Sequence, residues 1–191
     1  MNSWLHLSKL QMNAYIPMLP KAHEFPPSLT QLTLERAELG HDHMMILEKL
    51  PKLLIFRLRS NSRYIRTKMQ VSANGFPQLK ILQLLASEHG QGYASICRWL
   101  SSTQNPSIFC FTWPRLLIIN KGGMPKLNHL QIFGWDFNIE GLGELLHLRK
   151  VDVNINVEYP RWISSLPYAS EWHKIRSKTE EGKDIWHLYR Q

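Results

Sequence analysis

Apolar residues along this chain recur at a mixed spacing of three and then two. In "FPQLKILQLLAS" (76–87), Leu79, Leu82 and Leu84 fit neither the period of a helix nor that of a strand alone. The same L-x-x-L-x-L pattern, with Ile, Val, Met or Phe allowed at the apolar places, occurs six times. The copies are Leu7/Leu10/Met12, Leu29/Leu32/Leu34, Leu53/Phe56/Leu58, Leu79/Leu82/Leu84, Leu127/Leu130/Ile132 and Leu148/Val151/Val153. Four carry a proline two residues ahead of the first apolar position, at Pro27, Pro51, Pro77 and Pro125. First positions are separated by 22, 24, 26, 48 and 21 residues. The interval of 48 equals two periods, which predicts that one repeat is missing or replaced there.

A period of about 20 to 29 residues with this motif is the signature of a leucine-rich repeat. The fold expected is an α/β solenoid. Parallel strands line its concave face, helices and loops cross its convex face, and neighbouring units bury one another. In each unit the second and third apolar residues alternate along a short strand and point inward, while the residues between them point out. Scattered leucines in a helical protein fit poorly, because prolines at a fixed offset would interrupt helices. "DHMMILEKL" (42–50) and "NIEGLGELLHL" (138–148) have helical spacing and predict convex helices. The asparagine that commonly follows the strand stands only at Asn61 and Asn156, with Ala37, Ser87 and Trp135 at other equivalent places. That irregularity predicts uneven curvature.

Composition sets the broad class and charge locates a surface. With 43% hydrophobic and 20% charged residues in 191, the chain reads as one folded domain's worth of sequence. No apolar run is long enough for a membrane span, and the N-terminus lacks the pattern of a signal peptide. Two cysteines, Cys97 and Cys110, make no disulfide framework, so a reducing, cytoplasmic setting is expected. The net charge of +8 is uneven: from Lys49 to Trp135 there are twelve Lys and Arg against one acid, Glu88. Such a basic stretch attracts anionic partners.

Several segments resemble a known family. "FPPSLTQLTLERAEL", "ILEKLPKLLIFRLRSNS", "ANGFPQLKILQL", "GGMPKLNHLQIFG" and "GLGELLHLRKVDV" are similar, in sequence and in order, to the C-terminal leucine-rich-repeat region of plant intracellular nucleotide-binding disease-resistance receptors of the coiled-coil class. The resemblance covers roughly residues 5–87 and 124–158. It implies a protein-recognition role in innate immunity, sensing a pathogen effector or its host target, or contacting the receptor's own domains. The chain has no G-x-x-x-x-G-K-[ST] loop, so no nucleotide cofactor is expected, and no polar capping unit precedes Leu7. A receptor fragment is the expectation.

The organisation expected is four units in 1–87, an atypical insertion or degenerate repeat in 88–123, two units in 124–158 and a C-terminal cap in 159–191. The insertion reads either as a binding lobe or as sequence of non-repeat origin, and "WPRLLIIN" within it as a degenerate repeat. In the tail, Trp162, Trp172 and Trp186 suit an aromatic cover for the last unit.

"HDH" at 41–43 lacks the further ligands of a zinc site and reads as a loop leading into a helix, capped by Asp42. No nucleophile or acid–base motif marks an enzyme. The candidate surface is therefore the concave ladder: Gln31, Thr33, Glu35; Ile55, Arg57, Arg59; Ile81, Gln83, Leu85; and His129, Gln131, Phe133. A basic patch of Arg63, Arg66 and Lys68, with Tyr64 among them, adjoins it. Basic residues interleaved with an aromatic also suit a polyanion, so a nucleic-acid binder is the alternative. A ubiquitin-ligase recruiter would need an F-box segment that the chain does not contain.

Overall fold

The computed structural model describes residues 6–14, 18–36, 39, 41–60, 68–86, 115–133, 137–154, 161–178 and 184–190. In chain order the strands are β1 (Lys9–Asn13), β2 (Gln31–Glu35), β3 (Ile55–Ser60), β4 (Lys68–Val71), β5 (Ile81–Ala86) and β6 (Arg115–Ile119). They continue with β7 (His129–Phe133), β8 (Phe137–Glu140), β9 (Lys150–Asn154), β10 (Trp172–Lys178) and β11 (Asp184–Arg190). Among the described residues one α-helix, α1 (His41–Leu47), accompanies them, with short 3-10 turns.

The fold is a leucine-rich-repeat solenoid of parallel strands with few helices. Its main sheet has eight strands in the order β1-β2-β3-β5-β7-β9-β11-β10, and a second sheet has three, β4-β6-β8. Each motif copy supplies one of the six parallel strands of the main sheet. In five copies all three apolar positions are buried, from Leu29, Leu32 and Leu34 to Leu148, Val151 and Val153. In the first copy Leu7, Leu10 and Met12 are half-buried. Ahead of each strand one carbonyl accepts two successive amides of the following unit. Thr30 and Gln31 donate to Ser8 O at 2.8 and 3.0 Å, and Leu54 and Ile55 to Thr30 O at 2.8 and 3.0 Å. Leu54 O, Lys80 O and Asn128 O repeat the arrangement, forming a spine that runs beside the sheet.

The prolines have a local cause. Leu29 N–H donates to Pro26 O, Leu79 N–H to Phe76 O and Leu127 N–H to Met124 O, which places Pro27, Pro77 and Pro125 second in a four-residue turn. The fixed φ of proline suits that position. The turn delivers the first apolar residue into the core just before the strand begins.

The interval of 48 residues leaves no gap in the main sheet: Ile81 pairs directly with His129, in unbroken register from β5 to β7. Two expectations are corrected. "WPRLLIIN" is not a degenerate unit of the ladder, because its Arg115–Ile119 portion forms β6 in the second sheet, with Leu117 and Ile119 buried. The stretch 138–148 is not a helix. It belongs to β8, pairing with β6, and then to a 3-10 turn at Leu142–Glu144. Gly141 between them has φ 81°, and a Cβ there would lie 2.0 Å from Ile119 O, so the chain turns where only glycine fits.

The other expected helix is present as α1, which buries Met44 and Leu47. It begins at His41, so Asp42 lies inside its first turn rather than capping it. Just beyond, buried Glu48 accepts from the Ser72 backbone N–H at 2.8 Å and from the Ser72 hydroxyl, tying the helix end to β4.

After β9 the chain closes the array. β10 and β11 form an antiparallel hairpin whose β11 pairs antiparallel with β9, and Arg190 N–H reaches Arg149 O at 2.9 Å. Leu188 and Trp172 are buried there, and Trp172 Nε1–H donates to Pro167 O at 2.8 Å. Trp186 is half-buried beneath the Arg176 guanidinium, 5.4 Å from its ring centre. Arg63, Tyr64, Arg66, Cys97, Cys110, Asn61, Asn156, Ala37, Ser87, Trp135 and the 88–114 part of the expected insertion lie outside the described residues.

Candidate functional site

Because strand side chains alternate, the residues between the buried apolar positions all emerge on the other face of the main sheet. All twelve ladder residues expected from the sequence stand there, in three rows perpendicular to the strands. The middle row runs Gln11, Thr33, Arg57, Gln83, Gln131, Asp152 and His187. One flanking row contains Gln31, Ile55, Ile81, His129, Lys150 and Tyr189, and the other Glu35, Arg59, Leu85 and Phe133.

The middle row is joined side chain to side chain. Arg57 Nε–H donates to Gln83 Oε1, Gln83 Nε2–H to Gln131 Oε1, and Gln131 Nε2–H to Asp152 Oδ2 at 2.9 Å. Both glutamines are thus oriented with their oxygens toward Arg57 and their nitrogens toward Asp152. Gln83 and Gln131 are partly buried, which fixes these orientations before any ligand arrives.

Asp152, next to last in the row, is almost fully buried. Besides Gln131 it meets His129 Nε2 at 2.7 Å, His187 Nδ1 at 2.8 Å and Lys150 Nζ at 3.2 Å. Burial alone pushes its carboxyl up. The hydrogen bonds from His129, Gln131, His187 and Lys150 outweigh that and hold it well below the usual carboxylate range. It therefore stays ionised and links β7, β9 and β11 through one side chain.

His187 also meets Ser177 Oγ through Nε2 at 2.8 Å. The order Ser177, His187, Asp152 has the connectivity of a hydrolase relay. Here, however, the serine sits on the edge strand of a sheet, and on the ladder face its neighbour Ile175 is 57% exposed. Both oxygens of Asp152 are engaged by donors from three strands, which is the arrangement of a clamp.

The arginines of the ladder, Arg57 and Arg59, both stand on β3. Glu35 accepts from Arg59 Nη1 at 2.9 Å and from Gln11 Nε2 at 3.1 Å, so its charge is matched within the ladder. Arg57 enters the row through Nε only, and its Nη hydrogens are not part of the row. Lys68 does not join them. It is exposed on β4, in the three-stranded sheet.

Sequence reading missed both ends of the ladder. Lys9, Gln11 and Asn13 on β1 and Lys150 and Asp152 on β9 follow the same alternation and could have been included on that ground. His187 and Ser177 had no such signal, since their place depends on how the hairpin docks. Among the described residues no three His, Cys, Asp or Glu side chains are grouped to hold a metal ion, and no helix is long and apolar enough to cross a membrane.

No family model matches the chain, and no solved structure does. Curated proteins of Arabidopsis thaliana do. The chain is 40% identical to the probable disease resistance protein RF45 over 90 residues, which is 47% of the chain and 9% of that protein. It is 36% identical to the disease resistance RPP8-like protein 3 over 81 residues, 42% of the chain and 9% of that relative. It is 33% identical to the disease resistance protein RPP8 over 84 residues, 44% of the chain and 9% of that relative. The chain thus spans about a tenth of the length of these relatives. Over a little under half of its own length, it is homologous to Arabidopsis disease resistance proteins of the RPP8-like kind.

Proposed function

We propose that this chain is a non-enzymatic protein-recognition element of plant defence, acting in the cytoplasm through the ladder face of its main sheet. Its partner is a pathogen effector, the host target of one, or another domain of a longer receptor. The observation that carries the reading is the preorganised middle row: polar groups are fixed in orientation across four strands, with arginine at the open end. Homology to disease resistance proteins supports the setting.

Arginine is over-represented among interface hot spots and pairs bidentately with carboxylates, so Arg57 and Arg59 should dominate binding. Reversing both to Glu should slow association with an acidic partner captured from plant extract and weaken its salt dependence. Lys174 and Arg176 provide the control. They lie on β10 opposite Leu188 and Trp186, on the sheet face away from the ladder. If their reversal abolishes capture and that of Arg57 and Arg59 does not, the ladder is not the recognition surface.

A further inference from the structure

The three rows of the ladder differ in chemistry, and the difference specifies the shape of what they bind. The middle row offers oriented carboxamides at Gln83 and Gln131. Each carboxamide uses one hydrogen and one lone pair within the row, leaving a second hydrogen and a second lone pair for a ligand. On one side stands the half-buried apolar pair Ile55 and Ile81, and on the other Leu85 and Phe133, displaced by one strand.

An extended polypeptide fits this pattern if it lies across the strands along the middle row. Its side chains alternate to left and right, parallel to the sheet surface, and its N–H and C=O groups then point down at the row and up to solvent. Neighbouring strands are about 4.8 Å apart and an extended chain rises about 3.3 Å per residue. Two successive side chains therefore fall on opposite flanks, about 3.3 Å apart along the row, and side-chain reach covers the difference from the one-strand offset of about 4.8 Å between the two apolar pairs. A helix presents no backbone donors or acceptors along its length and would leave the carboxamides unpaired beneath it.

Charge sets the end. The β3 end carries Arg57 and Arg59 against the single carboxylate of Glu35, so it favours an acid there. At the other end Asp152 is already surrounded by its own donors.

Resting on the recognition role proposed above, we propose that the ladder binds an extended peptide segment laid across β3, β5 and β7. The segment has an acidic side chain at Arg57, followed by two adjacent apolar residues that pack on Ile55/Ile81 and Leu85/Phe133. Its backbone is held by Gln83 and Gln131.

Panning the full chain against a library of random decapeptides tests this. The expected result is enrichment of sequences with an acid shortly before an adjacent apolar pair. Synthetic copies should bind about tenfold more weakly to Gln83→Leu, which keeps the strand but removes the carboxamide. Asn138→Ala, exposed on β8 in the three-stranded sheet, should leave affinity unchanged. Failure to enrich any peptide, enrichment of acids without the apolar pair, or indifference to Gln83→Leu overturns the proposal. So does displacement of the peptides by a random-sequence RNA whose binding falls steeply with salt, which would make the row a polyanion surface. If no peptide binds while the Arg57 and Arg59 reversal still abolishes partner capture, the peptide proposal fails and the recognition role stands.

Discussion

At the scale of single residues, adjacent positions on one strand have opposite surroundings. Leu82 is 1% exposed between neighbouring units, and Leu82→Ala should cost about 2–5 kcal/mol, as for other buried leucines. By alternation alone Gln83 would be a neutral surface position, but it bridges Arg57 and Gln131. Gln83→Ala leaves both partners short of a bond and should cost about 1 kcal/mol. Urea denaturation of the two variants checks the register. Equal losses would place the strand in the wrong phase, and no loss at Gln83 would dissolve the row. Phe76 and Met124 show how firmly the repeat dictates conformation. Each immediately precedes a proline, each has positive φ, 52° and 50°, and each buries its side chain. Burial in the stacked units holds two residues that carry a β-carbon in a region most side chains avoid.

At the scale of elements, Asp152 joins the last parallel strand to the hairpin. Its carboxyl titrates lower in the folded chain than in the unfolded one, so its contribution is present above the ordinary carboxylate pKa of about 4 and is lost as pH falls below it. Between pH 6 and pH 3 the unfolded chain takes up a proton that folded Asp152 refuses. Asp152→Asn should therefore lower stability at neutral pH by about 1–3 kcal/mol and flatten the acid limb of the stability curve. Denaturant titrations of both proteins across that range would show parallel acid limbs if the carboxylate is not ionised and clamped. The strands were legible in the sequence because their apolar positions repeat at fixed offsets, and their outward residues follow from alternation. The opposite side of each turn was not. Helical spacing at Leu142, Leu145 and Leu146 was overridden by the pairing of β8 with β6 and by Gly141, whose close approach to Ile119 no periodicity reports. The candidate row was half legible: Thr33, Arg57, Gln83 and Gln131 were, but Gln11, Asp152 and His187 were missed, and the bonds from Arg57 to Asp152 require the register between units. That register passes through the interval of 48 residues without a break.

At the scale of the whole molecule, the array is closed at its C-terminal side by turning the last pairing antiparallel. β11 satisfies the edge of β9, and Leu188 covers the core beside it. Deleting residues 172–191 should uncover that edge and produce concentration-dependent self-association, since an unpaired strand edge recruits other chains. Light scattering over a dilution series measures it, and a truncated chain as monodisperse as the full one would show that the hairpin is not what closes the array. The direct pairing of β5 with β7 has a further consequence. Strands that neighbour each other in the sheet can be separated by twice the usual length of chain, and doubling a connection costs only about 0.6 kcal/mol of closure entropy. A solenoid can therefore gain sequence sideways, at one turn, without lengthening its ladder or shifting one row of its surface. The site at which new sequence can enter and the site at which partners are read are then separate parts of the same turn, free to change at different rates.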